Sequence, residues 1–384
     1  MFYVFLAPIL LYLGFLLFYI FFLFTNRHIK KTTKTKRVLI IIPTYNDENI
    51  IQYTLDSIEN LSTHHIVDIL IINDGSTDNT LDKITQWMEG GVKRFDYKLH
   101  NVNINSRLKS IALSYAKPYI KDYHEVITVI DGDSLLEKDA LSNAISKLFS
   151  KKKLAAVCGM ILPKFSTSRA DNITQRMQVY ELAGAFHGLR MAQCSMNSIS
   201  CLSGAFVVHK TEAISDVGWF EHWMVEDVCW TWKAKARKWQ LGFCENSLVF
   251  TECPDKMAKL WKQRRRWSRG RVEALKAGNY EQKLCITISV WFILWLSQLM
   301  FIPTLLGLIF INPLVSLSAI LTIYFSHCIY ARSIYNYLPK DYDTPSPFVS
   351  AIWTSLLNDI FLFVPNILGA LDEVLNREKT WLTR

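Results

Sequence analysis

Val38-Leu-Ile-Ile-Ile-Pro-Thr-Tyr-Asn-Asp-Glu48, followed by Asp68-Ile-Leu-Ile-Ile-Asn-Asp-Gly-Ser76, is the stretch that decides the fold. Each half opens with a short continuous apolar run of the kind that forms a strand buried on both faces, and closes in a polar turn. Between them Ile51, Leu55 and Ile58 recur at the spacing of one helical face. Strand, helix, strand in this order predicts a βαβ unit with parallel strands. A third run, Val126-Ile-Thr-Val-Ile130, ends in Asp131-Gly-Asp133, so acidic residues follow two strands at their carboxyl ends. That edge is where open α/β sheets bind ligands. The fold expected for residues 27–282 is therefore α/β and Rossmann-like, with a ligand-binding edge at these acids.

Outward from this core the composition changes. Half of the 384 residues are hydrophobic and 20% are charged, which excludes a disordered chain. Residues 2–24 contain no Asp, Glu, Lys, Arg or His, and long apolar runs return only after residue 282. The first segment has the length of a membrane span, with neither a basic leader nor an Ala-x-Ala-like cleavage site, and reads as a retained anchor over 1–26. Arg27, Lys30, Lys31, Lys34, Lys36 and Arg37 follow it and place residues 27–282 on the cytosolic side. Residues 283–384 form the C-terminal membrane or interfacial region. Segments 284–310 and 311–330 read as spans with Asn312-Pro313 at their turn. Segment 347–370 carries Asn358 and Asp359 at its middle and either spans or re-enters, while Arg377, Lys379 and Arg384 favour a cytosolic tail. The net charge of +9 gathers beside apolar segments, where anionic lipid and topology account for it, so nucleic acid is not an expected partner. The eight cysteines include no Cys-x-x-Cys pair, which argues for reduced packing residues rather than a zinc site.

Four constellations could carry chemistry. Asp131-Gly-Asp133 at a strand end either holds a hard divalent cation against a diphosphate or is a solvated turn. Asn73-Asp74 before Gly75-Ser76 either accepts hydrogen bonds from a base or ribose, or caps the next helix. Glu226-Asp227 lies in the aromatic stretch Gly218-Trp-Phe-Glu-His-Trp-Met-Val-Glu-Asp227. A carboxylate among apolar rings has raised proton affinity and suits a general base, whereas a helix N-cap is the plainer reading. Gln263-Arg-Arg-Arg-Trp267 sits in a run of nine basic residues from Lys256 to Lys276. It can clamp phosphate and offer an indole platform to a sugar, and it can equally meet lipid headgroups.

Taken together and in this order, the motifs resemble those of the processive, membrane-integrated family 2 glycosyltransferases, which include cellulose, hyaluronan, chitin-oligosaccharide and poly-N-acetylglucosamine synthases. The resemblance implies a GT-A fold with transmembrane helices, a UDP-sugar donor, a divalent metal (Mn²⁺ or Mg²⁺) and inversion at the anomeric carbon. By that resemblance Pro43, Tyr45, Glu48 and Asp74 surround the uridine, and Asp131 and Asp133 form the metal motif, with Asp133 touching the ion. Ser203, Gly204 and Glu226 lie toward the acceptor, and Asp227 is the base. Gln263 and Arg266 contact the diphosphate, and Trp267 underlies the acceptor sugar. It also implies a glycan or lipid-linked acceptor, membrane lipids and a small membrane subunit as partners, at the plasma membrane.

The chain departs from the family pattern in places. Asn73 stands where an acid is common, and Asn105-Ser-Arg-Leu-Lys109 replaces a glycine-lysine element, leaving Lys109 as the candidate for that phosphate contact. Trp219 replaces a glycine, and Val228-Cys229-Trp230 replaces a second acid. UDP-N-acetylglucosamine is the favoured donor and a β-linked polysaccharide the favoured product, with single addition to a lipid-linked acceptor as the alternative. Coupled export would use inward-facing polar or aromatic groups, for which Trp291, Trp295, Ser297, Gln298, Asn358 and Asp359 are candidates; interface anchoring and helix–helix contact are the equal alternative reading of these residues. The terminal Trp381-Leu-Thr-Arg384 resembles the family's C-terminal pattern. An inactive scaffold would be expected to have lost one of the acids that this chain retains.

Overall fold

The computed structural model describes residues 2–23, 34–164, 172–220, 222–279 and 286–379. Two compact units emerge, a sheet unit of residues 28–162, 201–252 and 378–384, and a helical unit of residues 1–27, 163–200 and 253–377. Arg27, Lys30, Lys31 and the Trp381–Arg384 motif lie outside the described residues, as does the side chain of Trp291.

The sheet has eight strands. In chain order they are β1 (Arg37–Thr44), β2 (Ile66–Asp74), β3 (Asp96–Val102), β4 (Val126–Ile130), β5 (Ser134–Leu136), β6 (Leu154–Lys164), β7 (Phe206–Lys210) and β8 (Gln240–Glu252). Their spatial order is β3-β2-β1-β4-β7-β6-β8-β5. β3, β2, β1 and β4 run parallel, whereas β7 is antiparallel to both β4 and β6. This is a GT-A-like mixed α/β fold. The three apolar runs are β1, β2 and β4, and every residue of β1 after Arg37 is buried, as expected for a strand covered on both faces. β3 alternates exposed and half-buried positions at the sheet edge, a weaker pattern than a continuous apolar run. The core includes Ile40, Ile42, Leu55, Ile58, Ile69, Ile71, Ile145 and Phe206.

Register brings the chemistry to one edge. Thr44 at the end of β1 pairs with Asn73 of β2, so Asp74 projects beyond it. Ile130 at the end of β4 pairs with Phe206 at the start of β7, and Asp131 N donates to Ala205 O (3.1 Å). The carboxyl end of a parallel strand thus meets the amino end of an antiparallel one, which sets Asp131 beside Gly204. Gly132 has to be glycine, because a Cβ there would lie 2.6 Å from Asp47 Oδ2 and 2.9 Å from Thr44 Cβ.

In the helical unit three helices among the described residues are long and apolar enough to cross a membrane, falling in Leu6–Leu23, Pro313–Tyr337 and Pro347–Val374. A fourth span results if Phe292–Leu299 and Phe301–Ile311, bent by 52°, are counted as one. The break falls within the stretch 284–310 expected to be a spanning helix. Pro303 explains it, because proline has no N–H for the Leu299 carbonyl and its ring crowds that group. After the break Asn312 caps Pro313–Ile334, its side chain accepting from Val315 N (3.2 Å), with proline at the first helical position.

Asn358 and Asp359 do not interrupt the last segment, which continues as a helix from Asn358 to Val374 after a π-helical turn at Trp353–Leu357. Its end is fastened to the helix Met257–Asn279. Arg265 meets Asp372 (2.5 and 2.8 Å), Arg269 meets Glu373 (3.0 Å), and Lys276 meets Glu373 (2.7 Å). Gly369 permits the approach, since a Cβ there would fall 2.1 Å from Arg265 O. Glu373 is 3% exposed, so its loss would leave Arg269 buried without that counter-charge. Glu373→Ala is expected to cost the helical unit about 3–5 kcal/mol, measured as a lowered unfolding midpoint in detergent; an unchanged midpoint would contradict this role.

Candidate active site

The acidic pair Glu226-Asp227 opens the helix Glu226–Ala236, where free N–H groups favour negative charge. Asp227 Oδ1 accepts from Val228 N and Oδ2 from Gly204 N, each at 2.7 Å. Gly204 makes the second bond feasible, because a Cβ at this position would stand 2.9 Å from Asp227 Oδ2. Thr231 locks the loop to the helix, donating to Asp227 O (2.6 Å) and accepting from Leu202 N (3.1 Å). Burial, then repulsion by Glu226, pushes Asp227 up to about 6, while Lys109 and the two backbone donors hold it from rising further. The result is a carboxylate near neutrality in its proton affinity.

Lys109 ties this pair to the end of β4. Its ammonium lies 2.5 Å from Asp131 Oδ1, 3.0 Å from Glu226 Oε1 and 3.0 Å from Gly204 O. Burial opposes the charge, but Asp131 and Glu226 outweigh it, and Lys109 is held above the ordinary lysine range. The sequence marks Lys109 only as a candidate phosphate contact; no local pattern announces partners 22 and 117 residues away, taken as 131 − 109 and 226 − 109.

Asp74 is 5% exposed and accepts from Ser106 Oγ (2.6 Å), Ser106 N (3.1 Å) and Asn105 Nδ2 (3.1 Å). Burial raises its proton affinity and the Ser106 bonds oppose this. Asp74 therefore holds the loop that delivers Lys109. Gly75, at φ +67°, turns the chain tightly against this loop, where a Cβ would meet Asn105 N at 2.4 Å.

Other singled-out residues have distinct placements. Glu48 Oε2 accepts from Asn79 N (3.1 Å) and Asn79 Nδ2 (2.9 Å), at the start of the helix Thr80–Glu89. Pro43 O accepts from Gly132 N (3.3 Å), while Tyr45 is half-buried and its N–H donates to Asp47. Ser203 is half-buried, with its carbonyl accepting from Phe206 N (3.3 Å). Asp133 Oδ1 meets the hydroxyls of Thr251 (3.3 Å) and Ser134 (3.5 Å). Trp219 stacks edgewise on Phe220 and its Nε1 is buried without a hydrogen-bond partner.

Gln263, Arg266 and Trp267 belong to the helical unit. There Arg264 forms a bidentate pair with Glu181 (3.0 and 2.6 Å) and lies 4.2 Å over the Trp267 ring, and Gln263 Oε1 is buried without a partner. The sheet unit thus brings together Asp131, Ser203, Gly204, Glu226 and Asp227, joined by Lys109.

As a test of metal fit, no group of three or more His, Cys, Asp or Glu side chains is placed to hold an ion among the described residues. Asp133 is a hard oxygen donor at the sheet edge, and Asp131 is engaged by Lys109. A cation bound through one carboxylate and completed by phosphate oxygens and water fits this donor set.

Residues 36–270 match the family model described as glycosyltransferase-like family 2. The chain is 29% identical over 239 residues to a poly-β-1,6-N-acetyl-D-glucosamine synthase of Staphylococcus epidermidis, covering 62% of this chain and 55% of that one. The Staphylococcus aureus counterpart is 28% identical over 240 residues, with the same coverage. This chain thus spans about half the length of the curated relatives it matches. Among solved structures a mannosyltransferase from Pyrobaculum calidifontis, in complex with GDP-Man and Mn²⁺, superposes with a TM-score of 0.65. It is 18% identical, and the match covers 98% of this chain and 99% of that one, a likeness of fold.

Without its ammonium, Asp131 and Glu226 would face each other uncompensated. Lys109→Met is expected to destabilise the sheet unit by about 3–5 kcal/mol. Denaturant titration checks this; an unchanged midpoint would contradict it.

Proposed function

The chain belongs to glycosyltransferase family 2, and on that premise we propose that it is an inverting glycosyltransferase which extends a β-linked polysaccharide from a UDP-sugar at the cytosolic face of the plasma membrane. The carrying observation is Asp227, held by the Gly204 and Val228 N–H groups with its proton affinity near 6 and linked through Glu226 and Lys109 to Asp131. UDP-N-acetylglucosamine is the proposed donor, supported by the names of the staphylococcal relatives. The apolar helices would carry the membrane domain and, in a processive enzyme, the export path for the product.

In the proposed reaction Asp227 takes the proton of an acceptor hydroxyl. That oxygen bonds to the anomeric carbon as the bond to the diphosphate oxygen breaks on the opposite side, which inverts the centre and releases UDP. A base with an affinity near 6 is mostly ionised at neutral pH and is still strong enough to share the proton in the transition state. Asp133, with Asp131 beside it, would hold a divalent cation, which supplies charge stabilisation to the departing diphosphate. Lys109 holds Asp131 and Glu226 in place through its ion pairs. Tyr45, Glu48 and Asp74 are proposed around the nucleoside. Gln263 and Arg266 are assigned to the diphosphate and Trp267 to the acceptor sugar.

Membranes containing the chain, incubated with Mn²⁺ or Mg²⁺ and a panel of labelled UDP-sugars, are expected to convert one donor into long polymer. Chelation or Asp133→Ala should abolish transfer, and Asp227→Asn should reduce it by about 10³-fold or more. A single sugar on an extractable lipid would replace polymerisation by single addition, and no transfer from any donor would overturn the reading. Because the base must be unprotonated, turnover should rise with pH through about 6 and then level, as its raised affinity dictates. A limb near 4, the range of an ordinary carboxylate, would remove Asp227 from this role.

A further inference from the structure

The sheet unit contains a small, partly open pocket lined by Val129, His209, Phe220, Glu226, Asp227 and Trp230, among others. Its inner space has room for about one water molecule.

His209 is the one titratable group in this wall that neither the sequence motifs nor the proposed chemistry uses. It lies on β7, is 3% exposed, and stands edge-on to Trp230 (ring centroids 4.7 Å, 87°) and Phe220 (5.3 Å, 75°). Its Nδ1 is buried with no hydrogen-bond partner among the described residues. Burial pushes His209 down to about 3, so the ring is neutral at physiological pH.

Nδ1 shares the pocket with two carboxylates and is hydrogen-bonded to neither. A small molecule that donates to a carboxylate and pairs with Nδ1 is needed, and water is the one that fits the space. Lys109 cannot serve, because its three oxygens already occupy it. The ionisable groups facing Asp227 are Glu226 on its own helix, Lys109 from the helix Lys109–Ser114 and, across the pocket, His209. Without a bridging molecule, the desolvation of Nδ1 would be uncompensated.

We propose that a single water hydrogen-bonds to His209 Nδ1 and donates to the Glu226–Asp227 carboxylates, and that His209 is thereby a positioning residue for the base. The water site follows from the geometry of the pocket and the unpartnered Nδ1, while the role of His209 in turnover rests on the function proposed above.

Two measurements on the full chain in detergent separate these layers. A high-resolution density map should show one peak within hydrogen-bond reach of Nδ1 and of either carboxylate; a dry pocket would overturn the site whatever the enzyme's substrate. In transfer assays His209→Leu should lower kcat about tenfold with the donor KM unchanged, and His209→Gln, whose amide oxygen can accept from the water, should recover to within about threefold of wild type. Equal losses in both variants with equally lowered unfolding midpoints would reduce His209 to packing and overturn the positioning role, as would wild-type kcat in His209→Leu. Should the Leu variant fail to fold, the Gln variant still decides: a tenfold loss despite a wild-type unfolding midpoint would overturn the role.

Discussion

The arrangement of the candidate site depends on one buried cation. Asp131 and Glu226 are side chains of like charge brought to a common edge, and the Lys109 ammonium stands between them at 2.5 and 3.0 Å. Without the ammonium the two carboxylates would lack their counter-charge. Glu226 in turn raises the proton affinity of Asp227 while Lys109 limits that rise. The position of the clamp therefore bears on both the geometry and the proton affinity of the neighbouring Asp227.

Delivering that cation is itself a structural task. Asp74, at the carboxyl end of β2, grips Ser106 and Asn105, and the loop they belong to leads into the helix that begins with Lys109. A change at Asp74 would then reach Asp227 through the loop and the lysine as well as through any ligand that Asp74 touches. Gly75 allows the close backbone approach to Asn105, and Gly204 allows the Asp227 carboxylate to reach its N–H.

The helical unit obeys the same rule. Asp372 and Glu373 end an apolar helix and are almost fully buried, and each is met by basic residues of the helix Met257–Asn279. Three of the nine basic residues from Lys256 to Lys276 thereby pair with acids at the end of a candidate span. This spends part of a charge run that local reading would assign to phosphate or lipid headgroups. Arg264 is likewise committed to Glu181.

What the sequence by itself determined is local. Continuous apolar runs located β1, β2 and β4, because strands buried on both faces leave an unmistakable composition. Uncharged stretches marked the candidate spans, and acids placed just after strands fell at the ligand-binding edge of the sheet. Tertiary structure alone decided the antiparallel half of the sheet and the partners of each charge. It assigned Lys109 to Asp131 and Glu226, Glu48 to the start of the next helix, and Asp74 to the Asn105–Ser106 loop. It also set His209 in one pocket with Asp227. These pairings join residues distant along the chain, and a charged or polar side chain satisfies its desolvation with whichever partner the fold brings within reach. No local pattern records that choice.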